Sequence, residues 1–263
     1  MKNLKYRVFF LSIFISGYFL RAQSNKDMPI KLKMVVEESI SLKTPILIGQ
    51  YFIGVPYLAN RLSRSNPEKV YFSFNDFDCV TYVENVLALY NSKGNYHQFK
   101  ENIINIRYND SISYEKRNHY LISGLEKLVK LNYLTPINNE LNSKFVLKNI
   151  NYLSKRANNK HIDRSKLMIT EKLISSQPIY YFDLVNDLNK NSLIQNGDLI
   201  AFVSSRNDLD FKHVGFVHIK NNKLYILHAS QEKKVVCISD VTIDQYLSKN
   251  AKIKGFQIYR PNK

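Results

Sequence analysis

Asn75-Asp76-Phe77-Asp78-Cys79-Val80-Thr81-Tyr82-Val83-Glu84 is the stretch on which the fold turns. Upstream, Lys69 to Phe74 (KVYFSF) is aromatic and β-branched, which predicts a strand. Downstream, Val80, Val83, Val86, Leu87 and Tyr90 recur at helical spacing. The element between them reads as a tight turn. Asp78 is a good N-cap, which makes Cys79 the first helical residue. A thiol there faces unpaired main-chain N–H groups and the positive end of the helix dipole, which favour the thiolate. The Asp78 charge opposes this, so a base is still required. The competing reading is a small buried hydrophobe, since free cysteine is among the most buried residue types.

Working outward, the sheet expected to receive this helix lies near the C-terminus. Gly197 to Val203, His213 to Ile219, Lys223 to Ala229, Val235 to Ile238 and Ile253 to Tyr259 read as antiparallel strands, with a helical turn at Thr242 to Leu247. Asn221-Asn222 is a two-residue hairpin signal. That loop sets Lys220 against Lys223, Gly215 against His228 and His213 against Ser230. His213 and His228 then lie diagonally adjacent on one face, with His218 on the other. Gly215 leaves room beside them. Two such imidazoles and one cysteine at a helix start form a nucleophile, a base and an orienter. His213 takes the Cys79 proton, His228 holds the His213 ring, and the first helical N–H groups face an oxyanion. Two structural alternatives stand beside this: both histidines as satisfied core residues, or a Cys/His/His zinc site. No close-spaced His pair supports zinc.

Between these regions, Pro29 to Leu42 and Thr44 to Gly54 show helical patterns, the second with Pro45 in its first turn. The Cys79 helix is expected to end near Asn91 to Gly94. His97 to Ile106, Tyr114 to Leu131 and His161 to Ser176 follow as helices, with Arg107 to Asp110 a turn. Residues 132–160 are rich in Asn, Lys and Ser. Because the motifs on either side need each other, the chain reads as one domain, 23–263, with a helical insertion over about 95–190.

The 263 residues are 44% hydrophobic, with 18 Tyr, 15 Phe and no Trp, and can bury a sizeable core. Lys2, Lys5 and Arg7, the apolar run Val8 to Leu20 and then Ala22 resemble a signal peptide spanning 1–22. The run is short for a membrane span, the alternative being an uncleaved anchor. Removing 1–22 takes four basic groups and no acid, lowering the net charge from +16 to +12. A basic exported protein is drawn to polyanions such as wall polymers or membrane surfaces, although a solvated lysine-rich surface explains the charge equally well. No nucleic-acid-binding motif is visible. With only Cys79 and Cys237 present, a bridge is possible, but one bridge is not a disulfide framework.

The order Asp78-Cys79, Gly197-Asp198-Leu199-Ile200, His213-Val214-Gly215-Phe216 and Leu227-His228-Ala229-Ser230, with Gly54-Val55-Pro56-Tyr57 upstream, resembles the NlpC/P60 superfamily of cell-wall cysteine peptidases. Phe77 to Glu84, Arg107-Tyr108, Arg117-Asn118-His119-Tyr120 and Gly255 to Arg260 resemble more narrowly its DUF1460, N-acetylmuramoyl-L-alanine amidase-like branch. The resemblance spans roughly 45–260. It implies an α+β papain-like core, with Cys79 as nucleophile, His213 as base, His228 as third residue and Tyr57 near the thiol. It implies an exported, periplasmic enzyme acting on peptidoglycan fragments without metal or cofactor and without stable membrane insertion. Arg107, Arg117 and His119 are then candidates to pair with substrate carboxylates, the alternative being that they brace the insertion. The family wall also leads one to expect an aromatic residue near Ser123-Gly124, and this chain has none. The rival functions are a γ-D-glutamyl–diamino acid endopeptidase and a non-catalytic wall-binding protein.

Overall fold

The structure, a computed structural model, describes residues 28–60, 62, 67–137, 143–156, 163–182 and 193–262. The expected signal segment 1–22 lies outside them. Seven helices and eight strands are described: α1 (Met28–Glu38), α2 (Pro45–Tyr51), α3 (Cys79–Ser92), α4 (Tyr96–Arg107), α5 (Leu121–Lys130), α6 (Arg164–Ser175), α7 (Ile243–Ser248), β1 (Leu134–Pro136), β2 (Lys144–Val146), β3 (Ile179–Tyr181), β4 (Leu199–Ser204), β5 (Phe211–Lys220), β6 (Lys223–Ser230), β7 (Val235–Ile238) and β8 (Ile253–Pro261). Six strands form one antiparallel sheet in the order β1-β8-β4-β5-β6-β7, and β2 and β3 form a separate pair. The architecture is a mixed helical and antiparallel-sheet one.

The cap at the start of α3 follows from its sequence. The Asp78 carboxylate accepts the N–H groups of Val80 at 3.1 Å and Thr81 at 2.8 Å, and the Thr81 hydroxyl accepts the Asp78 N–H at 2.9 Å. Lys93 and Gly94, at φ 49° and 80°, end the helix in the left-handed region. Most of α3 is buried. Tyr82 meets Phe216 of β5 edge-on, and on the opposite side the Asn102 side chain of α4 donates to the Ala88 carbonyl. One apolar cluster joins α3 to the sheet face carrying Val214, Phe216, Leu227 and Ala229. A second covers the other face, where Ile200, Phe202, Val217, Ile226 and Ile258 meet Ile243 of α7. The sheet is therefore covered on both faces, and its strands are buried almost throughout.

The hairpin register agrees with the sequence expectation. Asn221 and Asn222 both have positive φ, 51° and 57°, and Lys220 pairs with Lys223 through to Phe216 with Leu227. The Gly197-Asp198 motif is a clamp. Asp198 is 2% exposed, receives two hydrogen bonds from Arg260 at 3.0 Å and ties the entry of β4 to β8.

Three expectations fail. Lys69 to Phe74 is not a strand. Its aromatics pack into the core instead, Phe74 on Phe52 and Phe99, and Phe72 on Phe99. The expected helix from Tyr114 begins only at Leu121, because residues before it form an isolated bridge between Tyr108 and Arg117. The stretch 95–190 is not helical throughout, since it holds β1, β2 and β3, and β1 extends the main sheet beside β8.

Candidate active site

The hairpin carries two of the three polar groups, and α3 carries the third. On β5 and β6 the observed register, carried one pair further, sets Gly215 opposite His228. A methyl group built on Gly215 would stand 3.0 Å from the His228 Cβ. His213 and His228 project from the face that also bears Phe202 and meets α7. Their rings are 4.8 Å apart at 79°, and His213 Nε2 lies 2.5 Å from His228 Nδ1.

That bond has a consequence for tautomers. Each nitrogen in it is either donor or acceptor, never both. If His213 Nε2–H donates, His213 Nδ1 is left bare and basic. In that tautomer His228 holds His213 in the form that can accept a proton. Burial lowers the affinity of both imidazoles for an extra proton. His213 is held well below its usual value by burial, then by His228 and Lys212, and His228 falls to about 4 by burial, then by Lys233. Both rings are neutral at pH 7.

Cys79 opens α3 and lies against β5 next to His213, at Val214. Pairing between β5 and β6 stops at Phe216 and Leu227, and the Val214 main-chain N–H is directed at the Cys79 sulfur. The N–H groups of Cys79 and Val80 act in the same direction. They favour the thiolate, as the helix start suggested, but burial and then the Asp78 charge outweigh them and push the thiol up to about 12. Cys79 is a neutral thiol at rest and needs a proton acceptor at the moment of attack.

Tyr57 follows Gly54-Val55-Pro56 and forms an isolated bridge with Phe77. The segment before it is clamped on both sides, Gly54 N–H to Val236 O at 2.8 Å, Tyr57 N–H to Lys234 O at 2.7 Å and Leu58 N–H to Phe77 O at 2.8 Å. Its hydroxyl is raised by burial and then by the neighbouring Cys79 and Asp78 charges.

The remaining candidates are placed elsewhere. Arg107, 1% exposed, gives Nε and Nη2 to the Glu84 carboxylate at 2.9 and 2.7 Å and Nη1 to the Tyr71 carbonyl. Arg117 Nη1 donates to Glu68 at 2.8 Å and to the Leu62 carbonyl at 2.6 Å. Both guanidinium groups donate to acceptors of this chain, the arrangement that the bracing alternative describes. His119 bonds the Tyr114 carbonyl at 2.6 Å and lines a groove with Val80, Glu84 and Gly124, between α3 and α5. No aromatic side chain fills that groove at Gly124, where an added methyl would meet only Asn118 at 3.8 Å.

Two aromatic residues at the site escaped the sequence reading. Phe202 stacks on His213 at 6.2 Å and 18°, and Tyr246 of α7 lies 6.5 Å from His213 and 6.4 Å from His228. Alternation along β4 could have placed Phe202 opposite His213. Nothing local marks Tyr246. Cys79 and Cys237 are both free thiols. Among the described residues, no three His, Cys, Asp or Glu side chains gather as metal ligands, and no helix is long and apolar enough to cross a membrane.

Comparison with known proteins places the fold and the family. The crystal structure of an N-acetylmuramoyl-L-alanine amidase from Bacteroides uniformis superposes with a TM-score of 0.78 at 28% identity, covering 84% of this chain and all of that one. A putative xylanase from Bacteroides fragilis shares the fold, with a TM-score of 0.75 at 24% identity over 81% of this chain and 98% of that one. So does a DUF1460 protein from Legionella pneumophila, with a TM-score of 0.70 at 20% identity over 91% and 97%. No curated protein matches. The family model described as N-acetylmuramoyl-L-alanine amidase-like matches residues 47–255, most of the chain, and the protein belongs to that family.

Proposed function

We propose that the protein is an exported cysteine amidase of the NlpC/P60 papain-like type. It hydrolyses the amide between N-acetylmuramic acid and L-alanine in peptidoglycan fragments. The observation that carries this is the 2.5 Å His213–His228 bond, taken with a thiol seated at the first position of α3 whose sulfur faces the main chain of Val214, the residue after His213. Family membership supports the substrate class. The basic start and the apolar run Val8 to Leu20 support export.

In this reading His213 Nδ1 takes the thiol proton as the Cys79 sulfur attacks the lactyl carbonyl carbon. The carbonyl oxygen becomes an oxyanion. Asp78 claims the Val80 and Thr81 N–H groups, so the Cys79 N–H, together with the Tyr57 hydroxyl, is the donor left for it. His213, now an imidazolium stabilised by His228, gives its proton to the alanine nitrogen, and the carbon–nitrogen bond breaks. The peptide leaves as an amine and a thioester remains on Cys79. Water, deprotonated by His213, attacks the thioester and releases the carboxylate and the thiol. A neutral thiol and a neutral imidazole at rest fit a proton transfer coupled to attack.

The test is mass spectrometry of defined muropeptides incubated with the protein and with Cys79→Ala. Release of a free peptide beginning with L-alanine, absent in the variant, is the expected result. A disaccharide still carrying L-Ala-γ-D-Glu would move the assignment to an endopeptidase. No cleavage of any muropeptide would overturn the catalytic reading.

A further inference from the structure

His213 is enclosed by more than its hydrogen-bond partner. Phe202 of β4 lies parallel to it on one side, 6.2 Å away at 18°. Tyr246 of α7 closes another side, 6.5 Å from His213 and 6.4 Å from His228, and is itself packed on Phe202 at 5.2 Å. Tyr246 thus neighbours both imidazoles and Phe202, and it arrives from a helix on the far side of the sheet from α3.

We propose that Tyr246 is a positioning residue whose ring, together with Phe202, fixes the rotation of His213 and keeps water from the His213–His228 bond. This rests on the cysteine-amidase reading above. The physical argument is that a neutral imidazole can turn about χ2, which is a broad, soft torsion. One hydrogen bond restrains the ring against tilting but leaves it open to competition from water. A flat wall on one side and a second ring at the edge remove both freedoms. A dry bond is also stronger, because the low local dielectric raises its electrostatic energy. The contacts to both imidazoles and to Phe202 are ring contacts, so the work falls to the ring and not to the hydroxyl.

The ionisable groups that bear on the site are Lys212 from β5 and Lys233 from the turn after β6 on the imidazoles, Cys79 from α3 and Glu232 from that turn on Tyr246, and Tyr246 itself. Of these only Tyr246 is changed in the test.

The experiment measures two things in Tyr246→Phe, Tyr246→Leu and Tyr246→Ala. One is muropeptide turnover. The other is the rate of Cys79 alkylation by iodoacetamide from pH 4 to 10, which needs no substrate. Tyr246→Phe is expected to stay within about twofold of the parent in both. Tyr246→Ala is expected to lose roughly ten- to a hundredfold in kcat with a smaller change in KM, the range seen when a partner that orients an active-site group is removed. In Tyr246→Ala the acid limb of the alkylation profile should move to higher pH, because admitted water makes His213 easier to protonate. Tyr246→Leu, which keeps bulk, should lie between the two. Loss in Tyr246→Phe as large as in Tyr246→Ala would overturn the assignment to the ring. A parent-like Tyr246→Ala would overturn the proposal outright. If His213→Ala alkylates like the parent, the fault lies instead with His213 as base.

Discussion

Gly215→Ala tests the link between the hairpin and the chemistry. The added methyl would stand 2.9 Å from the Leu227 carbonyl oxygen, 2.9 Å from Ile226 Cγ2 and 3.0 Å from His228 Cβ. Carbon atoms rest at about 3.5–4.0 Å, so relief needs a movement of roughly half an ångström to one ångström. One obstacle is main chain of β6, held by pairing to both β5 and β7, and cannot yield cheaply. The cost of such overpacking is about 1–3 kcal/mol. For a chain of this size that lowers the melting temperature by roughly 2–4 °C per kcal/mol. The larger effect is on geometry. Pushing β6 away from β5 moves His228 off a bond that is 2.5 Å long, and displacement near one ångström in such a site costs up to about a hundredfold in rate. The assay pairs thermal melting by circular dichroism with muropeptide turnover at a temperature well below the transition. The expected result is a modest drop in melting temperature and a disproportionate loss of kcat. A variant that melts lower but turns over like the parent would refute the claim that the close Gly215–His228 approach sets the catalytic geometry.

Three further outcomes follow from the structure. Arg107→Met should cost about 3–5 kcal/mol, because it strands the Glu84 carboxylate in a buried site, yet leave kcat/KM of the folded enzyme near the parent value. A urea titration and a turnover assay check the two halves. Asp78→Asn keeps the cap oxygen but removes the charge that opposes ionisation of Cys79, so alkylation at neutral pH should become faster, with helix content unchanged by circular dichroism. His119 and His228 are each held near 4, His119 by burial and then Arg117, against about 6.5 unfolded. The unfolded chain therefore binds more protons between these values, so stability is complete above about pH 6.5 and falls towards pH 4 by up to about 1.4 kcal/mol per pH unit for each group. Chemical denaturation across that range should show the slope, and His119→Gln should flatten part of it.

Features set by neighbouring residues were legible in the sequence. Asp78 with Thr81 is a cap that any chain of this local sequence can form, so the start of α3 and the place of Cys79 followed directly. Asn221-Asn222 tolerates positive φ at both positions, and the period-two geometry of a strand then carried the register as far as the two histidines. What only the tertiary structure decided depends on partners far away in the chain. KVYFSF has the composition of a strand, but its rings went into the core beside α2 and α4. Arg107 looked available for substrate until Glu84, 23 residues earlier on α3, neutralised it in a place that excludes water. The thiol pKa turned on burial, which outweighed the helix-start N–H groups. Tyr246 reached the imidazoles only because α7 folds over the face of the sheet opposite α3. Local steric preference is written in short stretches, whereas desolvation and long-range charge pairing exist only once distant segments meet.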